Sequence, residues 1–213
     1  KAINPDIHMV GVEASLFPSM HNVLSGADNP TGGDTLAEGI AVKEPGQFTR
    51  AIIAERVDEI LLVGEPDLEH TVALLLQIEK TVVEGAGAAG LAAVLANKEK
   101  FAGKKIGLPL CGGNIDSRLL ATVLLRDLAR QGRLARLRIA LKDQPGALHK
   151  VVSLFERHNV NIIEVYHQRV FTKLPAKGLI TEIECEARNK EQVDALIADM
   201  RQTGYDVHSV ELA

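Results

Sequence analysis

The chain has 213 residues, 46% of them apolar and 24% charged, a balance that places it among folded globular proteins and sets disorder aside as a starting assumption. A formal net charge of -4 and a pI near 6.0 argue against nucleic acid and anionic membranes as partners, because both require a basic patch that displaces counterions. Two cysteines far apart, Cys111 and Cys185, with no signal peptide and no long uninterrupted apolar segment, point to a reducing, cytoplasmic setting.

Residues 1–5 (KAINP) read as the end of a helix stopped by proline, so the chain is expected to begin mid-domain. Residues 8–12 (HMVGV) form a short apolar run predicted as a strand, and residues 15–25 carry Leu16, Met20, Val23 and Leu24 at helical spacing. Residues 26–34 (GADNPTGGD) are dense in turn formers and should be an exposed loop. A helix is predicted over 47–57, a buried strand over 59–64 and a strong helix over 66–80, opened by Pro66 at its first position. Residues 88–97 are predicted helical, residues 105–110 (KIGLPL) a strand, and residues 116–130 an amphipathic helix with Asp116 as its N-cap and Gly132 as its stop. Strands alternating with helices indicate βα units around a mostly parallel sheet; aromatics at 3%, with no Trp, suit cores of Leu, Ile, Val and Ala.

Beyond Gly132 the rhythm changes. Residues 134–141 (LARLRIAL) alternate with period two, 147–158 are helical, and 161–171 and 178–187 alternate again. A helix over 190–202 and a strand over 206–212 complete the order βαββαβ, the split plan of an antiparallel sheet with two helices on one face. Two domains are expected, 1–132 and 133–213.

Two motifs suggest ligands. Residues 85–90 (GAGAAG) fit the dinucleotide fingerprint, but the next strand ends in Leu110-Cys111-Gly112-Gly113 with no acid for a ribose, so close helix packing by small residues is the plainer account. Residues 108–116 (LPLCGGNID) place Cys-Gly-Gly between a strand end and a helix N-cap. Ligands of open α/β sheets gather at such places. A tight turn with an inert thiol accounts for the same residues equally well.

Several blocks together are more specific. KAINP at 1–5, VGVE at 10–13, LAEGIAV at 36–42, VEGAGAA at 83–89 and CGGNID at 111–116 resemble, in order and spacing, the pyridoxal-phosphate-dependent threonine dehydratases. These threonine/serine ammonia-lyases have the tryptophan-synthase-beta-like fold type II. The resemblance covers essentially the whole chain, because such lyases often carry a C-terminal ACT domain and DQPGAL at 143–148 is similar to that domain's first loop. It implies an α/β fold made of part of a type II parallel sheet followed by a ferredoxin-like ACT domain. The function it implies is conversion of L-threonine, and of L-serine, to a 2-oxo acid and ammonia, regulated by an amino acid. A non-catalytic amino-acid-sensing or dimerisation module is the alternative.

Carried over by motif, Cys111 is the residue that hydrogen-bonds the pyridine nitrogen, and Gly112 follows it in the same loop. Gly39 matches a backbone position beside the cofactor ring and Glu84 an acid at the pocket edge; a solvated carboxylate is the plainer account of Glu84. Where relatives bind a divalent cation near Glu13 a carboxylate is expected at Ser19, so no tight metal site is expected. The family's Schiff-base lysine segment, Ser-x-Lys-x-Arg-Gly, and its phosphate-cradling glycine run have no counterpart in these 213 residues. No lysine present takes that place: Lys43, Lys80, Lys98 and Lys104 match no motif. In the ACT-like part, Gly146, Ala147, Asn161 and Ile162 are the implied effector-binding residues, at an interface between paired copies in a homodimer or homotetramer. His149, His158, His167 and His208 show no metal-ligand spacing.

Overall fold

The computed structural model describes residues 1–170, 175 and 177–210. The chain divides into two compact units, Lys1–Leu124 and Leu125–Ala213, and the division falls within one helix, Ser117–Arg130.

In the first unit, β1 (Val10–Ala14) pairs in parallel with β2 (Glu59–Val63), Val10 opposite Glu59 and Ala14 opposite Val63. Around them lie α1 (Ser19–Ser25), α2 (Gln47–Arg56), α3 (Glu65–Leu74), α4 (Gly85–Ala96), the short α5 (Lys98–Phe101) and α6 (Ser117–Arg130). One core gathers Ala14, Val63, Leu68, Ala89, Ala92 and Ala93; a second gathers Val72, Leu75, Val83, Ala88 and Val123. α4 contributes to both. It presents alanine and glycine on nearly every side, so neighbouring segments approach its backbone closely.

Several boundaries shift for identifiable reasons. α1 begins at Ser19 because Pro18 occupies its N-cap, and Glu65 rather than Pro66 opens α3. α3 passes into a π turn, Leu75–Glu79, and stops where Lys80 turns left-handed at φ 57°. α6 is capped as expected: the Asp116 carboxylate accepts from the backbone N–H of Arg118 and of Leu119, each at 3.0 Å, and Gly132 leaves the helix at φ 69°. The glycines of residues 85–90 lie inside α4 and pack closely, as the plainer account has it, and the helix starts at Gly85 rather than at residue 88. One expectation is corrected. Residues 105–110 are not a strand: among the described residues they make no backbone–backbone hydrogen bond, and apolar alternation without a ladder partner does not make a sheet.

In the second unit, β3 (Leu134–Lys142), α7 (Ala147–Arg157), β4 (Asn161–Gln168), β5 (Gly178–Glu186), α8 (Lys190–Gln202) and β6 (Asp206–Ser209) form a four-stranded antiparallel sheet in the order β4-β5-β3-β6. The expected ends of two strands, at Phe171 and Leu212, lie outside the described residues. Alternation does its expected work. Leu137, Ile139 and Leu141 of β3 and Leu179, Ile183 and Cys185 of β5 point to one face and pack with Val151, Leu154 and Phe155 of α7 and Leu196 and Met200 of α8. The opposite face carries a charge ladder in which Arg138 stands across from Glu182, its Nη2 donating at 2.6 Å, and Arg136 stands across from Glu184, its Nε donating at 2.9 Å. Among the described residues no helix is long and apolar enough to cross a membrane.

Candidate active site

The N-terminus of α4 organises the first unit's candidate site. Glu84 holds the N-cap position in extended backbone, and its own N–H donates to the Gly112 carbonyl at 3.2 Å. That bond fastens residues 111–113 across the start of α4. Contact there is close enough to require glycine at several positions: a Cβ on Gly87 would overlap the Cys111 carbonyl, and one on Gly112, at φ 83°, would overlap the Glu84 carboxylate. A Cβ on Gly39 would stand 3.0 Å from the Ala86 Cβ and 3.6 Å from Glu84 Oε1. Three segments distant in sequence, around residues 39, 84 and 111–112, therefore converge on one helix end.

Two cavities flank this junction. Gly39 and Glu84 line a cleft of about 350 Å³ together with Glu38, Asn114 and Asp116. Cys111, whose side chain is exposed, lines a larger cavity of about 680 Å³ with Val10 and Val12 of β1 and the alanine face of α4. Ala86 belongs to both walls. Asn114 was not singled out from the sequence; its place directly after the paired glycines, before the α6 cap, is the signal that pointed there. Glu13 takes a structural part, accepting from the backbone N–H groups of Met20 at 2.9 Å and His21 at 2.8 Å and so satisfying free donors at the start of α1.

In the second unit, Gly146 sits at the N-cap of α7 in the left-handed region, φ 83°. Beside it, Ala147 lines a cavity of about 700 Å³ with Lys142, Lys150, Lys177 and Tyr205. Asn161 and Ile162 lie elsewhere. They pair with Glu186 and Cys185 at one end of β5, whereas the loop after Lys142 adjoins Gly178 at the other. Eight residues of strand separate those ends, about 26 Å at ~3.3 Å per residue. Within one copy the two pairs of residues do not meet.

Comparisons with known proteins identify the family. The model of the family described as pyridoxal-phosphate dependent enzyme matches residues 1–112 of the 213. The chain belongs to that family. An ACT domain model matches residues 135–201. The chain is similar to a protein named L-threonine ammonia-lyase from Thermotoga maritima, 34% identical over 212 residues, 99% of this chain and 53% of that one. A protein of the same name from Geobacter sulfurreducens is 36% identical over 204 residues, 95% of this chain and 51% of that one. Among solved structures, the processed form of threonine deaminase isoform 2 from Solanum lycopersicum aligns with a TM-score of 0.51 at 27% identity, covering 58% of this chain and 35% of that one. The chain thus spans about half the length of the curated relatives it matches.

The residues present suit one side of pyridoxal phosphate. An exposed thiol is a donor of the kind a pyridine nitrogen takes, while Gly112 and Gly39 serve the close approach of their segments to Glu84 and Ala86.

Proposed function

We propose that this chain is part of a threonine ammonia-lyase whose complete form converts L-threonine, and L-serine, to a 2-oxo acid and ammonia. The observation that carries it is the convergence of Gly39, Glu84 and residues 111–112 on the start of α4, in a chain matched over 99% of its length by a protein named L-threonine ammonia-lyase. Pyridoxal phosphate, when bound, supplies the electron sink that stabilises negative charge at the substrate's α-carbon. Cys111 would hold the ring nitrogen through a hydrogen bond from its thiol, without transferring a full positive charge to the ring. Gly39 would lie beside the ring, Gly112 would let its loop pack against Glu84, and Glu84 would set the charge at the pocket edge.

The 213 residues alone, having no counterpart of the Schiff-base lysine segment, do not turn threonine over on this proposal. The domain assignment that goes with it is 1–132 for the lyase part and 133–213 for the ACT part. The ACT part regulates by binding an amino acid near Gly146 and Ala147 of one copy and Asn161 and Ile162 of another, in a cytoplasmic homodimer or homotetramer. Pairing between copies is what the 26 Å separation of those residues within one copy, at ~3.3 Å per residue, would demand.

The test is release of 2-oxobutanoate from threonine by this chain with pyridoxal phosphate, alone and after joining to the unmatched half of the Thermotoga maritima relative. Turnover only by the joined protein is the expected result. Turnover by the 213-residue chain alone would remove the lysine argument, and silence of the joined protein would remove the lyase. Calorimetry with isoleucine, valine, threonine and serine identifies the effector.

A further inference from the structure

Glu65 opens α3 at the carboxyl end of β2, the end of a parallel sheet where ligands gather. Both of its oxygens are engaged. Oε1 accepts from the Thr35 hydroxyl at 2.6 Å and Oε2 from the Leu36 backbone N–H at 2.7 Å, while Thr35 Oγ1 accepts from the N–H of Ala37 at 3.1 Å. Among the described residues, every hydrogen bond that ties residues 34–46 to a point more than four residues away ends on Glu65. The backbone bonds inside that stretch are local, from Ile40 to the Ala37 carbonyl, from Ala41 to Glu38 and from Val42 to Ile40.

Residues 35–37 lead directly into the candidate site. The Leu36 carbonyl lies so close to Gly85 that a Cβ there would overlap it, and Ala37 is fully buried with Ala14, Val63 and Leu68. The next turn, Glu38–Ile40, sets Gly39 beside Ala86 and Glu84. Burial of a methyl group attracts without direction, so it does not fix how the chain is rotated about Ala37. Two hydrogen bonds from adjacent residues to the two oxygens of one carboxylate do fix it.

We infer that Glu65 is a positioning residue of the candidate site: it holds the turn Glu38–Ile40, and with it Gly39, against the start of α4. Glu65 lines neither flanking cavity and acts through Thr35 and Leu36. The donor count requires a carboxylate. Glutamine of the same size offers one acceptor oxygen and turns an NH2 toward the other donor, so Glu65→Gln leaves Thr35 or Leu36 unpaired. This inference rests on the lyase reading, in which Gly39 lies beside the cofactor ring.

Amide exchange of the 213-residue chain without cofactor tests the hold itself. Glu65→Gln should speed exchange at Leu36, Ile40 and Ala41 at least tenfold and shift the amide resonances of Gly39 and Ala86, while the β1–β2 ladder keeps its rates. Thr35→Val, which removes the hydroxyl, should speed Ile40 and Ala41 as well, and Thr35→Ser, which keeps it, should match the unsubstituted chain. Unchanged rates at Ile40 and Ala41, or an equal acceleration of the β1–β2 ladder that marks general loss of stability, would overturn the inference. The role in the site is read from pyridoxal phosphate affinity, by cofactor absorbance, in the chain joined to the unmatched half of the Thermotoga maritima relative. Affinity should fall at least tenfold in Glu65→Gln and in Thr35→Val and return in Thr35→Ser. Equal affinity in all the variants overturns the role. No uptake by the unsubstituted joined protein ends it together with the lyase reading, and the amide response of the chain alone then tells which of the two failed.

Discussion

Replacing Gly87 with alanine separates two physical claims about α4. Helix propensity alone favours the change, since alanine is better than glycine by about 1 kcal/mol inside a helix. Packing opposes it. The new methyl would overlap the Cys111 carbonyl oxygen and stand 2.6 Å from Val83 Cγ1. The first obstacle is backbone, which cannot rotate away, so overpacking should cost about 3 kcal/mol, the upper part of its usual range. The net loss is about 2 kcal/mol, roughly a 30-fold fall in the folded-to-unfolded ratio. Gly90→Ala in the same helix is the control, because its methyl meets only Leu108 Cδ2, at 3.3 Å, the end of a flexible side chain. That variant should gain up to about 1 kcal/mol. Urea unfolding followed by circular dichroism should therefore order the proteins Gly90→Ala, unsubstituted, Gly87→Ala, with about 3 kcal/mol between the extremes. Equal stability of the two variants would refute the claim that residues 111–112 are clamped against α4.

Asp116→Ala should cost about 1 kcal/mol by removing the two backbone bonds its carboxylate accepts at the start of α6, and Asp116→Asn should restore most of the loss in the same unfolding assay. Native protein titrated with a thiol reagent at pH 8 should show one reactive cysteine, Cys111. Cys185 is buried, with its thiol pushed up to about 12, and should react only after denaturation. Asp199 accepts from His158 at 2.9 Å and from Arg157 at 3.1 Å, and these partners hold its carboxyl below the usual 3.8. Its contribution to stability is present above the unfolded value and is lost as pH falls through the lower folded one. Stability measured against pH should fall less steeply below pH 3.8 in Asp199→Asn; identical slopes would remove the pairing as a cause.

Much of the second unit was legible because its signals are local and repeated. Alternation in residues 134–141 and 178–187 places every second side chain inward whatever the partner strand. In the first unit the blocks around residues 39, 84 and 111 were visible as motifs, and the Asp116 cap was visible as chemistry. What was misread depends on distant partners. Residues 105–110 carry a strand's pattern but meet no ladder among the described residues, and α4 starts at Gly85 rather than at residue 88.

Sequence by itself determined the order of most elements and marked the residues that converge, since periodicity, capping and turn preferences are encoded within a few neighbouring residues. Only the tertiary structure decided that Gly112 lies against Glu84, that Asn161 and Gly146 lie at opposite ends of a sheet, and that a gap separates β1 from residues 105–111. Such facts are distances between segments far apart in the chain, and close packing sets them through contacts that no local pattern records.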